Sequence, residues 1–258
     1  VQINSKFVVS WFLRQLNRSS GKEDQISNKL LSFVEARLSP GGEFGLHLTA
    51  GMALLLLSGY VFHELAEAVM GQEAITVLDV QVAHWFNAHA AEPFTSLMVG
   101  ISAMHSVAGM VLLFGALAAW LWRQRARYWL LALLFSVPGG MLLNVALKHV
   151  FQRARPVFED PLVTLATYSF PSGHTTAATC FYGLLASYLV IARPAWSVRL
   201  GTVAMCVAMV LLVALSRVYL GAHYVSDVLA AMAESVAWLA VCITAISTLR
   251  RRRESKTV

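Results

Sequence analysis

The chain has 258 residues, of which 57% are hydrophobic and only 13% charged, with a mean hydropathy of +0.62. That balance excludes an ordinary soluble domain and points to a polytopic membrane protein. The net charge of +6 is no nucleic-acid signature, because the basic residues lie in short clusters beside apolar runs, as topology signals do.

In chain order, residues 1–42 read as a cytoplasmic or interfacial amphipathic segment. Phe7, Val8, Trp11, Phe12, Leu16, Leu30, Leu31, Phe33, Val34 and Leu38 alternate there with Lys6, Arg14, Arg18, Lys22, Lys29 and Arg37. Pro40, Gly41 and Gly42 close it. A long charged stretch precedes the first apolar run, so a cleavable signal peptide of the usual form is not expected.

Six apolar runs follow, near 45–64, 96–122, 128–148, 173–192, 198–216 and 225–248. Each has about 20 residues, the length that crosses a bilayer. Between the first two, a stretch with Asp79, Val82, Trp85 and Phe86 reads as a short interfacial helix. Cys180, Cys206 and Cys242 fall inside apolar runs without metal-ligand spacing and read as packing residues. The expected fold is all-α, with a transmembrane domain over 43–249 and a basic cytoplasmic tail over 250–258.

With a cytoplasmic N-terminus, sixteen of the twenty Lys and Arg fall on the inner side, as the positive-inside rule requires. Lys148, Arg153, Arg155 and Arg217 remain for the outer face. Helices three and five then run outward and helices four and six inward, so Lys148, the Pro171–His174 turn, Arg217 and His223 converge at one membrane boundary. Charges at such a depth are expensive and usually functional. Lys148, Arg155 and Arg217 together suit a bound phosphate, by an ammonium point charge and two guanidinium forks. Arg153 has no companion signal and reads as snorkelling toward headgroups.

Pro171, Ser172, Gly173 and His174 read as the first turn of the fourth helix, whose unpaired N–H groups can receive an anion. Gly173 keeps the approach open, and His174 stands where it could give a proton to the bound group. Alone, such a turn is as readily an ordinary helix start with a capping serine. Four residues separate His223 from Asp227, so on a helix the carboxylate would hold one ring N–H and leave the other nitrogen as an oriented nucleophile. As an isolated pair this spacing is more often structural.

Together, Lys148 with Arg155 and Pro156, then Pro171 to His174, then Ser216 and Arg217 with His223 and Asp227, resemble the three signature motifs of the type 2 phosphatidic acid phosphatase (PAP2) superfamily. The resemblance covers roughly residues 45–248. It implies a bacterial membrane lipid phosphatase, a six-transmembrane-helix bundle with its site at the outer face of the plasma membrane and its termini in the cytoplasm. His223 would attack phosphorus to form a phosphohistidine, Asp227 would orient it, and His174 would protonate the leaving oxygen and later activate water. Lys148, Arg155, Ser172, Gly173 and Arg217 would hold the phosphoryl oxygens, with no metal and no cofactor. The cationic cluster should lower both histidine pKa values while Asp227 and bound phosphate oppose it, giving a bell-shaped pH profile. The third motif departs from the family where Val225 replaces a proline and where Leu229, Ala230 and Ala231 replace a glycine.

The expected partner is a lipid phosphate within a membrane bilayer, with no nucleic acid. Undecaprenyl pyrophosphate, phosphatidylglycerol phosphate, phosphatidic acid and diacylglycerol pyrophosphate all fit, and residues 64–93 and 158–170 and a lateral opening between helices would choose among them. The alternatives are a lipid phosphotransferase with the same motifs, a non-catalytic lipid transporter or binding protein, and a vanadium-dependent haloperoxidase, whose relatives are typically soluble.

Overall fold

The computed structural model describes residues 46–163, 165–192 and 195–254. By contact the chain falls into two units, Val1–Thr49 and Ala50–Val258. Of the first, only the opening of one helix is described; the helical bundle and its polar site belong to the second. The amphipathic segment expected over 1–42 lies outside the described residues.

Among the described residues, eight helices run in the order α1 (Leu46–Met70), α2 (Ala74–Ala88), α3 (Phe94–Met104), α4 (Val107–Arg123), α5 (Arg127–Phe151), α6 (Gly173–Ala192), α7 (Trp196–Tyr219) and α8 (Val225–Glu254). Helices α1, α5, α6, α7 and α8 are each long and apolar enough to cross a membrane, whereas α3 and α4 pass that test only together, across a 57° bend. Counting the bent pair as one span gives the six that hydropathy predicts.

The unbroken helix expected over 96–122 is therefore two helices. Ser106 caps α4, its Oγ accepting from the Gly109 N–H at 3.4 Å. The His105 ring donates from Nδ1 to the Ile101 carbonyl (2.8 Å) and accepts at Nε2 from the Tyr182 hydroxyl on α6 (3.0 Å). Side-chain bonds thus take over backbone groups that a continuous ladder would pair. Hydropathy averages do not register such a substitution.

Leu56, Leu57, Leu112, Leu142, Trp196 and Met205 lie exposed, while Asp79, Asn144, Arg217, Asp227 and Glu234 are buried. A hydrocarbon solvent demands this arrangement. Since lipid tails are as apolar as leucine, the helices must associate through close packing. A Cβ on Gly139 would stand 2.6 Å from the Trp238 ring of α8, and one on Gly140 would stand 2.7 Å from Cys180 Sγ of α6. The two glycines let α5 sit against both helices, over a buried centre that includes Leu121, Leu133 and Leu184. Ala230 and Ala231 are fully buried on α8, so small side chains serve where the family pattern has glycine.

Candidate active site

The ends of α5 and α7 and the starts of α6 and α8 meet through hydrogen bonds at one end of the bundle. Lys148 lies in the last turn of α5, and its Nζ donates to the carbonyls of Tyr168 (2.7 Å) and Ser169 (3.2 Å). Ser169 Oγ donates to Asp227 Oδ2, and the Asp227 carbonyl accepts from the Ser172 N–H at 3.1 Å. Ser172 is fully buried, and its Oγ accepts from Thr175 Oγ1 at 3.0 Å. Gly173 then opens α6, so its N–H and that of His174 belong to the first helical turn, where no intrahelical acceptor exists.

His223 lies in the turn before α8 rather than on it, and the turn places it. After Leu220 ends α7, Gly221 adopts φ +66°, and the N–H groups of Ala222 (3.0 Å) and His223 (3.2 Å) both donate to the Arg217 carbonyl. This left-handed helix end favours glycine, whose missing Cβ would also collide with the Phe158 ring. The wrap brings His223 Nδ1 to 3.3 Å from Asp227 Oδ2, while Arg155 donates to Nε2 at 3.2 Å. The network assigns the tautomer: Nδ1 carries the hydrogen and Nε2 the lone pair. Burial pushes the imidazole down to about 4; Asp227 opposes the fall, and Arg155 and Lys148 add to it. Burial therefore leads the cationic cluster as the cause.

Arg155 also donates to Thr167 and Tyr168, through Nε to the Thr167 carbonyl at 2.6 Å and through NH2 to Thr167 Oγ1 at 2.9 Å and the Tyr168 carbonyl at 3.1 Å. Arg217 is 3% exposed; it donates to Ser102 Oγ and keeps its Nε buried with no partner among the described residues. His174 is half-buried in the first turn of α6, beside Gly173, and lines one cavity together with Gly173 and His105. All eight site residues named from the sequence are thus joined in one cluster.

Arg153 does not snorkel, and here the structure corrects the sequence expectation. Its side chain is 12% exposed and bridges two fully buried carboxylates, Asp79 Oδ2 at 2.8 Å and Asp227 Oδ1 at 2.5 Å. Both acids require a cation in a dry interior, so the arginine turns inward. Sequence reasoning also missed Asp79, Ser169, Gly221, Asn144 and Glu234. Asn144 Nδ2 reaches the Pro171 carbonyl (3.3 Å), Thr176 Oγ1 (3.0 Å) and Glu234 Oε1 (2.8 Å), pinning the turn before α6 to α5 and α8. A signal existed for Asp79 and Glu234, as acids inside apolar helices. Nothing in the sequence pairs either with its partner.

Beside His174 lies an apolar cavity of about 400 Å³, lined by His105, Met110, Val111, Phe114, Pro138 and Met141 among others. Among the described residues, no group of three or more His, Cys, Asp or Glu is placed to hold a metal ion.

Residues 129–251 match the PAP2 superfamily. Phosphatidylglycerophosphatase B of Bacillus subtilis (strain 168) is 36% identical over 134 residues, which make up 52% of this chain and 66% of that protein, so the chain spans just under two thirds of the relative's length. The crystal structure of the first transmembrane PAP2 type phosphatidylglycerolphosphate phosphatase from Bacillus subtilis superposes with a TM-score of 0.66 at 28% identity, covering 75% of this chain and 94% of that one. LpxE of Aquifex aeolicus shares the fold, with a TM-score of 0.53 at 19% identity over 64% of this chain and 94% of that one.

Proposed function

The chain belongs to the PAP2 superfamily, and from that premise we propose that it is a multi-pass phosphatase of the bacterial inner membrane that removes the terminal phosphate of a lipid phosphate. The observation that carries the proposal is His223: buried, with Nδ1 on Asp227 and the Nε2 lone pair turned toward Arg155. An imidazole held neutral in this way is a nucleophile at physiological pH.

In the first step Nε2 of His223 attacks phosphorus as the bond to the lipid oxygen breaks, and His174 gives that oxygen its proton. In the second, His174 takes a proton from water, whose oxygen attacks phosphorus; the P–N bond breaks and inorganic phosphate leaves. Lys148, Arg155 and Arg217 hold the equatorial oxygens, together with Ser172 and the first N–H groups of α6. The buried Nε of Arg217, which has no partner among the described residues, supports this, since a buried donor calls for an acceptor. The apolar cavity beside His174 suits part of the lipid tail. The site faces the outside, and no metal takes part.

Phosphatidylglycerol phosphate is the first substrate to test, being the one named for the Bacillus subtilis relatives. Purified protein in detergent should release phosphate from it, or from undecaprenyl pyrophosphate or phosphatidic acid, with EDTA present. The His223→Ala variant should release none. Release undiminished in that variant would refute the reading, and binding without release would favour a lipid-binding protein.

A further inference from the structure

Asp227 has two carboxylate oxygens with different partners. Oδ2 accepts from the Tyr224 N–H at 2.9 Å and from Ser169 Oγ, and it faces His223 Nδ1 at 3.3 Å. Oδ1 is taken by Arg153 NH1 at 2.5 Å. The same NH1 reaches Ser226 Oγ at 2.7 Å, the other fork nitrogen is taken by Asp79 at 2.8 Å, and the Tyr224 ring lies 4.3 Å from the guanidinium carbon. Asp79, which α2 supplies from 148 positions before Asp227 in the chain, also accepts from the Ser226 N–H at 2.9 Å and from Ser226 Oγ.

We propose that Arg153 and Asp79 are positioning residues for the reaction at His223: Asp79 fixes the guanidinium, which in turn fixes Asp227 Oδ1 so that Oδ2 is presented to the imidazole. The inference rests on His223 being the nucleophile. Without the fork, the Asp227 carboxylate would be held through Oδ2 alone, by the Tyr224 N–H and Ser169 Oγ, and could pivot about that oxygen and tilt away from Nδ1. Asp79 and Asp227 are both fully buried, so one guanidinium between them leaves a net negative charge behind His223. Burial works against the arginine's charge, yet Asp227 and Asp79 together hold it above its ordinary value. The pair therefore sets two properties of the imidazole, its orientation and the charge it senses. The other groups in its surroundings are Lys148 on α5, Arg155 after α5, His174 on α6 and Arg217 on α7, and substitution of Arg153 or Asp79 leaves all four in place.

The two substitutions change the charge behind His223 in opposite senses. Arg153→Gln removes a positive charge and should move the acid limb of the kcat/KM profile up by about 1 pH unit; Asp79→Asn removes a negative charge and should move it down. Both should lower kcat, Arg153→Gln by about 10- to 100-fold, as loss of an orienting partner does. KM should stay within about twofold in both, since neither residue is placed on the substrate. Arg153→Lys, which keeps the charge without the fork, should return the limb to its wild-type position and leave kcat low.

The assay is phosphate release from micellar phosphatidylglycerol phosphate, or from phosphatidic acid if the wild type cleaves that faster, with melting and gel filtration to show that each variant is folded. Should Arg153→Gln not fold, Asp79→Asn decides by the same two readouts. Wild-type kcat and limb in a folded variant would overturn the inference, as would a raised KM at unchanged kcat, which would make Arg153 a substrate ligand. A wild-type protein that releases no phosphate would instead refute the phosphatase reading, and this inference with it.

Discussion

His223 couples chemistry to stability because it is buried without its proton. In the unfolded chain its pKa is the ordinary 6.5, whereas in the folded protein burial pushes it to about 4. Between these values the unfolded state binds more protons, so the contribution is fully present above pH 6.5 and is lost as pH falls toward 4. Melting temperature should therefore fall over this window more steeply in the wild type than in His223→Gln, whose side chain does not titrate. Parallel curves would show that the histidine is no more buried than in the unfolded chain. Gly221 carries a second prediction at this scale. Ala there would meet both a left-handed φ and the Phe158 ring, and the resulting shift acts two residues from His223, the proposed nucleophile. Activity of Gly221→Ala should fall about 10- to 100-fold, as sub-ångström to ångström misplacement does. A wild-type rate would mean that the turn tolerates the change.

Among the elements, α5 does the most positioning, because it carries both Asn144 and Lys148 while its glycines seat it on α6 and α8. Gly140→Val would force Cys180 or Trp238 aside, at a cost of about 1–3 kcal/mol for overpacking. Its melting temperature should drop, with activity lost alongside as the Pro171 turn loosens. Gly115→Val, on α4 where a Cβ meets nothing within 4 Å, is the control and should leave both unchanged. Helix α2 is the element whose role hydropathy least foretells. Read as a short interfacial helix, it also brings Asp79 against the first turn of α8.

For the whole molecule, two consequences follow from the bundle and its one polar end. Filling the cavity beside His174 should discriminate by substrate: Val111→Trp, at an exposed cavity-lining position, should lower phosphate release from a long-chain lipid phosphate about 10-fold or more and spare a dihexanoyl analogue. Equal losses on both would remove the cavity as a tail site. Orientation can be read with thiols, because Cys180, Cys206 and Cys242 are buried and should give little background. In intact cells an impermeant maleimide should label Glu159→Cys, near the site, and leave Gln124→Cys, at the other end of α4, unlabelled. The reverse pattern would put the site in the cytoplasm.

The membrane class, the six spans and the eight motif residues were legible in the chain itself. A bilayer imposes span length directly on composition, and the three motifs place their residues at the ends of those spans. Tertiary structure alone decided the break at His105 and Ser106, the inward turn of Arg153 and the union of Asp79 with Asp227. Each of these depends on a partner that neither spacing nor hydropathy encodes: Tyr182 for His105, 77 residues away, and two acids, each 74 residues away, for Arg153. A buried charge declares in the sequence only that it needs a counterpart, and the folded bundle alone says which residue answers.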